Sequence, residues 1–377
     1  MNRNRTAMDE GWMRQAIGLA SRGIGRTSPN PAVGAIVVKG GRIVGRGWHR
    51  RAGADHAEVE ALREAGPRAA GATLYVTLEP CCTWGRTPPC TAAIVRGGIS
   101  RVVAAVRDPN PKHRGRGLAI LRRAGLRVTE GVCPREARQL IVPFAKWITT
   151  GMPYVTLKLA TSLDGKIADS AGKSKWISSP QSRAIVMTLR RRADAVLVGS
   201  GTVLADDPSL LPGRRSGGRP VRVVADSVGS VPLSAQILND CRANRTLIAT
   251  TARCPAARAA AYVGKGAAVW RLPARNGRVS LRALFRKMAA AGIVHVLCEG
   301  GGTVAETLVR ENLVDEYVLF IAPRIIGGRS AVAAVAGKGW PLARAPRLRI
   351  TEVRNTGGGD LLLRLVDANE RNADNMG

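Results

Sequence analysis

His56-Ala57-Glu58, followed at a distance by Pro80-Cys81-Cys82-Thr83-Trp84-Gly85-Arg86-Thr87-Pro88-Pro89-Cys90, is the stretch that decides the fold. An imidazole, two thiols and a carboxylate set one residue beyond the imidazole make the parts of a zinc deaminase. Zinc takes imidazole nitrogen and thiolate sulfur in a tetrahedron, and a catalytic zinc keeps its fourth position for water. Glu58 suits a proton shuttle rather than a ligand. His56 follows the loop 51–55 and opens a helical pattern through Ala61, Leu62 and Ala65. Cys81 follows the apolar strand 73–78. Both are therefore expected at helix N-termini beyond strand ends, where backbone N–H groups favour thiolate over thiol. His-Ala-Glu alone is a weak signal, and scattered cysteines usually mean little; the Pro-Cys one strand and helix later is what gives the pair weight. In the commonest deaminase pattern the second Cys comes three positions after the first. Cys90 lies nine after Cys81, so the Gly-Arg-Thr-Pro-Pro segment must loop out and return, free to touch substrate.

The chain resembles the bifunctional riboflavin-biosynthesis deaminase–reductase family. In its first half the resemblance rests on Ser28-Pro29-Asn30-Pro31-Ala32-Val33-Gly34, His56-Ala57-Glu58, Gly85-Arg86-Thr87-Pro88-Pro89-Cys90 and Asp108-Pro109-Asn110-Pro111. In its second half it rests on Ser162-Leu163-Asp164-Gly165-Lys166-Ile167-Ala168, Lys175-Trp176-Ile177-Ser178, Gly201-Thr202-Val203-Leu204-Ala205-Asp206-Asp207-Pro208 and Glu299-Gly300-Gly301-Gly302. It covers residues 8–366, and the long spacing to Cys90 separates it from tRNA and cytidine deaminases. It implies an α/β chain with an N-terminal cytidine-deaminase-like three-layer domain and a C-terminal dihydrofolate-reductase-like domain that binds NADPH. One departure stands out: the family usually has Ser-His after the first zinc cysteine, where this chain has Cys82 and Thr83, then Trp84.

At 377 residues the chain favours two domains, and a hydrophobic content of 45% is enough for real cores. No apolar run is long enough to cross a bilayer. Residues 1–5 are polar and basic, with no apolar signal segment after them. Seven cysteines without a disulfide framework read as a reducing, cytoplasmic setting, with Cys133, Cys241, Cys254 and Cys298 as buried or incidental thiols. The formal net charge of +31 raises nucleic-acid binding as a reading. The Arg residues are spread through both halves, however, and 4% aromatics leave few stacking platforms. Attraction of anionic small substrates is a sufficient use of such a field, so no specific nucleic-acid partner is expected.

Residues 1–147 read as a deaminase domain, 148–153 as a linker, 154–366 as a reductase domain and 367–377 as a polar, disordered tail. Met13, Ala16, Ile17 and Ala20 have helical spacing. Strands 33–38 and 42–45 flank a Lys39-Gly40-Gly41 hairpin turn. Helix and strand then alternate: strands to Leu78, at 102–106 and at 126–128, helices after Cys90 and Gly117, and a helix from Pro134 to Trp147. In the second half, strands at 154–160, 196–198, 221–225, 246–249, 267–270 and 294–298 alternate with helices. Strands 314–321, 347–353 and 361–366 read as a closing antiparallel set.

Glu299-Gly300-Gly301-Gly302-Thr303 and Gly199-Ser200-Gly201-Thr202 are glycine turns between strand and helix, where backbone N–H groups can approach a phosphate. Neither is a dinucleotide fingerprint; a tight connection is the bland alternative. From the resemblance, Lys158, Trp176, Thr202, Asp206, Gly300, Gly301, Gly302 and Thr303 are expected at the cofactor. Ser178, Arg190 and Glu299 are expected at the reductase substrate, although an Arg within Arg190-Arg191-Arg192 is by default a solvated helix charge. Asn30, His49, Arg86 and Asn110 are expected at the deaminase substrate, with Glu58 catalytic and His56, Cys81 and Cys90 holding one zinc. The implied reactions are deamination of a small phosphorylated pyrimidine and NADPH-dependent reduction of its ribosyl chain, in a homo-oligomer. A tRNA-editing deaminase would explain the charge and zinc motif but not the Cys81–Cys90 spacing or the second domain. A noncatalytic RNA-binding scaffold would explain only the charge. A paralogue of another pyrimidine or pteridine pathway is the third reading.

Overall fold

The computed structural model describes residues 3–84, 88–213, 220–240 and 242–369. The chain divides between Gly151 and Met152 into two compact units.

In the first unit, α1 (Arg3–Ala20) precedes the hairpin β1 (Gly34–Lys39) and β2 (Arg42–Trp48). Gly40 and Gly41, at φ 55° and 70°, supply the left-handed pair that a two-residue hairpin turn demands. Then follow α2 (Ala57–Ala65), β3 (Thr73–Val76), α3 (Cys90–Arg96), β4 (Arg101–Ala104), α4 (Arg116–Arg123), β5 (Arg127–Glu130) and α5 (Pro134–Thr150). The strands form one sheet in the order β2-β1-β3-β4-β5, antiparallel through the first three and parallel from β3 to β5. Strand alternation splits the core into two faces. Ala35, Val37, Leu74 and Val102 meet Ala61 of α2, Ile94 of α3 and Leu118 of α4. Ile36, Val38, Tyr75 and Val103 meet Met13 of α1 and Ile141 of α5. The result is three layers.

Two glycines press α2 onto β2. A Cβ on Gly47 would lie 2.1 Å from the Ala57 carbonyl oxygen, and one on Gly45 would lie 2.1 Å from that of Ala61. This close approach seats the first turn of α2, with His56 and Glu58, at the end of the sheet.

The linker expected at 148–153 begins three residues too early. Ile148, Thr149 and Thr150 continue α5 although all three are β-branched, because no glycine or proline stops the helix before Gly151. Gly151, left-handed at φ 68°, ends it and donates its N–H to the Trp147 carbonyl.

The second unit contains β6 (Tyr154–Ser162), β7 (Lys166–Ala168), α6 (Pro180–Arg192), β8 (Ala195–Gly199), α7 (Ser200–Asp206), β9 (Val221–Ala225), α8 (Gln236–Asn239) and β10 (Thr246–Thr250). It continues through α9 (Ala256–Gly264), β11 (Ala268–Arg271), β12 (Ala274–Arg275), β13 (Arg278–Val279), α10 (Leu281–Ala290), β14 (His295–Cys298) and α11 (Gly302–Arg310). It closes with β15 (Glu316–Ala322), β16 (Val332–Ala333), β17 (Leu348–Asn355) and β18 (Leu361–Asp367). The main sheet runs β11-β10-β9-β8-β14-β6-β15-β18-β17. One face packs Leu157, Leu197 and Val296 against Phe285 of α10 and Leu308 of α11. The other packs Val198, Val224 and Phe320 against Val186 of α6 and Tyr262 of α9.

The expected closing antiparallel set is only partly so. β15 lies parallel to β6, delivered by the α11 crossover, and antiparallel pairing starts at β18 and β17. The small pairs β7–β16 and β12–β13 were not expected, although Asn276-Gly277 between β12 and β13 is a hairpin-turn signal. Asp367 belongs to β18, so the tail starts later than expected; residues 370–377 and Cys241 lie outside the described residues. Cys133, Cys254 and Cys298 are free and buried. Among the described residues no helix is long and apolar enough to cross a membrane.

Candidate functional site

His56 caps the N-terminus of α2 with extended backbone, which leaves its ring free of the helix. Cys81 stands in a loop beyond β3, and Cys90 is the first residue of α3. The ligand atoms of His56, Cys81 and Cys90 all lie within 4.8 Å of one another. His56 Nδ1 is 3.2 Å from Cys90 Sγ and 3.6 Å from Cys81 Sγ. Zinc–ligand bonds of about 2.0–2.3 Å at tetrahedral angles place neighbouring donors roughly 3.5 Å apart, so the three fit a zinc ion with a fourth position left over. One expectation needs correction: Cys81 starts no helix. The helix that serves it is α3, which Cys90 opens. Cys90 donates its backbone N–H to Cys81 Sγ at 3.3 Å, and Thr91 donates to the Cys81 carbonyl at 3.2 Å. The nine-residue return therefore places α3's first N–H groups on the other cysteine.

The electrostatics suit a metal. Contact with the Cys90 side chain, and then with His56, holds the Cys81 thiol down to about 4 against the opposing effect of burial. Cys90 is pushed the other way by the same contact and by burial. Contact with Cys81 also raises His56, to about 9, so zinc binding, which needs both thiolates and a neutral imidazole, would release protons from this cluster. Glu58 is 3% exposed. Burial pushes its carboxyl up to about 7, with His56 opposing. A carboxyl poised near neutrality can both take and give a proton.

His49 is buried behind this triad, its ring edge-on to His56 at 5.3 Å. His49 Nδ1 lies 3.0 Å from the Asp55 carbonyl oxygen, which makes Nδ1–H the donor. Nε2 then accepts from Asn30 Nδ2 at 3.0 Å. Burial lowers the His49 pKa and keeps the ring neutral. Asn30 and His49 are thus joined to the triad. The Asn110 side chain accepts the Lys112 N–H at 3.0 Å and shapes its own turn. Arg86 lies outside the described residues.

Two residues escaped the sequence reading. Glu79, 3% exposed, accepts N–H bonds from Asp108, Gly115, Gly117 and Leu118 at 2.8–3.4 Å. It ties the Asn110 loop and the start of α4 to the strand end that carries Cys81. Its place directly before Pro80-Cys81 was the available signal. His113 reaches back from the same loop, with Nδ1 3.5 Å from Cys82 Sγ and Nε2 3.5 Å from Thr83 Oγ1. Nothing local in the sequence marks that contact.

In the second unit, one cavity of about 1300 Å³ is lined by every residue expected at the reductase: Lys158, Trp176, Ser178, Arg190, Thr202, Asp206, Glu299 and residues 300–303. The glycine turns follow adjacent parallel strands, β8 and β14, and Gly301 N–H donates to Thr202 Oγ1 at 3.1 Å. From β8 the chain crosses to β9 on one side; from β14 it crosses to β15 on the other. Such a switch point is where α/β sheets bind ligands. Gly199, Gly300 and Gly302 are required by interior packing, since a Cβ on any of them would come within 3.0 Å of Val304 or the Ala333 carbonyl. Gly201 and Gly301 are different: a Cβ on Gly201 would meet nothing within 4 Å, and one on Gly301 only Thr202 Oγ1 at 3.5 Å. Both line the cavity, so their bare backbone leaves room for a bound group such as a nucleotide phosphate.

Arg190 is not a solvated helix charge. Its side chain is 12% exposed and grips Glu299, Nε to Oε1 at 2.6 Å and Nη2 to Oε2 at 3.0 Å. Lys158 Nζ stands 3.7 Å from the same carboxylate. Burial would raise Glu299, but Arg190 and Lys158 more than offset it and hold the group below its usual range. Burial also lowers Lys158, although Glu299 works against that. Asp206 accepts from Ser174 Oγ at 2.5 Å, and its carbonyl from Lys175 Nζ at 2.6 Å. Trp176 is 62% exposed at the mouth, with the Arg183 guanidinium 4.4 Å over its ring.

Comparison with known proteins finds a family model for each unit. The cytidine and deoxycytidylate deaminase zinc-binding region matches residues 6–106. The RibD C-terminal domain matches residues 153–362. The chain is 47% identical over 324 residues to the riboflavin biosynthesis protein RibD of Aquifex aeolicus, spanning 85% of this chain and 88% of that one. It is 40% identical over 373 residues to the Escherichia coli protein of the same name, spanning 96% and 100%. Among solved structures, Acinetobacter baumannii RibD superposes with a TM-score of 0.86 at 36% identity, over 96% of this chain and 99% of that one. A two-domain chain with a deaminase zinc triad in one unit and a glycine-lined cavity at the switch point of the other, it belongs to the RibD family of bifunctional deaminase–reductases of riboflavin biosynthesis.

Proposed function

We propose that the first unit hydrolyses the 2-amino group from 2,5-diamino-6-ribosylamino-4(3H)-pyrimidinone 5′-phosphate and that the second reduces the ribosyl chain of the product with NADPH. The observation that carries this reading is the pairing of a triad fit for zinc with a buried carboxyl beside it, in a chain whose second unit holds a large cavity lined by glycine turns. At about 1300 Å³ that cavity exceeds the roughly 300–1000 Å³ of a single small-ligand site.

In the deaminase, His56, Cys81 and Cys90 would hold zinc, which supplies the Lewis acidity that activates water near neutral pH. Glu58 takes the water's proton and gives it to the ring nitrogen as oxygen adds to the neighbouring carbon; it then takes the proton of the added hydroxyl and passes it to the amino group, which leaves as ammonia while the C=O forms. Asn30, oriented by His49, presents hydrogen-bonding groups to the heterocycle. Arg86 is the candidate for the ribose phosphate; Arg86→Ala is expected to weaken binding by roughly 1.5–3 kcal/mol.

In the reductase, the glycine turns would hold NADPH, which would supply the hydride that C1′ of the open-chain sugar accepts. A proton must follow to the neighbouring nitrogen, and Lys158, eased toward release by burial, is the group with one to give. Glu299, fixed by Arg190, orients Lys158 and accepts from ribose hydroxyls. The working form is read as a cytoplasmic homo-oligomer.

The test is incubation of the purified protein with the diaminopyrimidine phosphate, with and without NADPH, followed by mass analysis. Without NADPH the product should show amino exchanged for oxygen; with it, a further gain of two hydrogens. No change in either case would reject this substrate and favour a paralogous pyrimidine or pteridine pathway.

A further inference from the structure

From the two glycine turns the reductase cavity extends two ways along the sheet edge. Toward β6 it meets Lys158, Glu299 and Arg190. Toward β9 and β10 it meets a different wall: Ser227 beyond β9, Arg253 beyond β10, and Arg275 and Arg278 on the β12–β13 hairpin. No expectation from the sequence touched this end.

The wall is built, not incidental. Asn276 and Gly277, at φ 51° and 72°, form the hairpin's tight turn and set Arg275 and Arg278 on either side of it. Val279 N–H donates to Ser227 Oγ at 3.0 Å, and Arg253 Nη1 donates to the Gly277 carbonyl at 3.0 Å, so the hairpin is stitched to both strand ends. Arg275 is turned toward Glu311 at 3.2 Å and is partly neutralised. Arg253 has one Nη1 bond to backbone and no ion pair among the described residues, and Arg278 has neither a hydrogen bond nor an ion pair among them. Two exposed guanidinium groups thus face one end of a ligand cavity without a carboxylate to balance them.

We infer that Arg253 and Arg278 recognise the 2′-phosphate of the dinucleotide and make the site select NADPH over NADH. The inference rests on the NADPH reading above and adds the residues that enforce it. The glycine turns after β8 and β14 offer N–H groups to the pyrophosphate. β10 lies two strands from β8, roughly 10 Å along the sheet edge, short enough for an adenosine to cross. The hydride-bearing ring would then point the opposite way, toward Lys158. A dianionic phosphate is the group that two unpaired guanidiniums bind best, through a fixed fork of donors. NADH offers only a hydroxyl there.

The experiment uses the full-length protein and titrates NADP⁺ and NAD⁺ by calorimetry, alongside reductase kcat/KM with NADPH and with NADH. Arg278→Ala is the first variant, since the Arg278 side chain has no hydrogen bond or ion pair among the described residues and its backbone pairing with Arg275 is kept. Arg253→Gln is the second, since it keeps a donor for the Gly277 carbonyl. Each is expected to lower the NADP⁺-to-NAD⁺ affinity ratio by at least about tenfold, and the double variant by more. If the wild type binds both dinucleotides equally, the NADPH reading itself fails and this inference with it. If the wild type discriminates and the variants discriminate as well as it does, the inference alone is overturned. If the variants instead raise KM for the pyrimidine phosphate and keep the cofactor ratio, the wall holds the substrate's phosphate, which also overturns the assignment.

Discussion

Arg190 on α6 and Glu299 at the end of β14 are 109 residues apart and meet in a two-point ion pair that leaves the Glu299 side chain 8% exposed. The pair fixes a carboxylate at the floor of the reductase cavity, within 3.7 Å of Lys158. Burying a charge is tolerable only when it is paired, and removing one partner strands the other.

Arg190→Ala is therefore expected to destabilise the second unit by about 3 kcal/mol and to abolish most reductase activity, while deamination persists. Arg190→Lys keeps the charge but not the fork, and should fall between. Thermal denaturation read beside the two activities checks this. Unchanged melting and turnover in Arg190→Ala would contradict the role given to the pair.

Glu58→Gln should retain zinc and lose deamination by about 10³-fold or more, since it removes both the acid and the base of the reaction. Reduction of supplied deaminated substrate should survive. A parallel fall in both activities would argue against two independent sites.

Zinc analysis of Cys90→Ser should show loss of the metal. The bystander Cys82→Ser should keep it, because Cys82 Sγ lies beside His113 rather than at the triad. Undiminished zinc in Cys90→Ser would unseat the assignment and make Cys82 the ligand to test.

The charge of +31 should produce RNA or DNA binding only at low salt. Such binding rests on phosphate neutralisation and falls steeply as salt rises. Filter binding across a salt series checks this. Salt-resistant, sequence-selective binding without activity on the pyrimidine phosphate would favour the tRNA-deaminase alternative.

The parts legible in the sequence share one property: their signal is local. The hairpin was readable because Gly40-Gly41 supplies its turn conformation within the strands it joins. His56, Cys81 and Cys90 were readable because zinc demands particular donors, and the strand and helix between them bring those donors to one sheet end. The glycine turns after β8 and β14 were readable as breaks between an apolar run and a helix. The end of the first unit was misplaced because Ile148-Thr149-Thr150 holds no helix breaker, and the stop signal, Gly151, acts only on the residues before it.

What tertiary structure alone decided is who meets whom across long loops. Arg190 looked like one charge in a run of three until the crossover placed α6 over the end of β14. Glu79 became the anchor of the Asn110 loop only because four backbone N–H groups, from residues 108 to 118, fold onto it. β15 turned parallel because its neighbour is set by the path of α11 over the sheet, which no periodicity within the strand records. Residue types and short spacings are written in the chain, whereas a contact between distant segments exists only once the packing of the layers between them has chosen it.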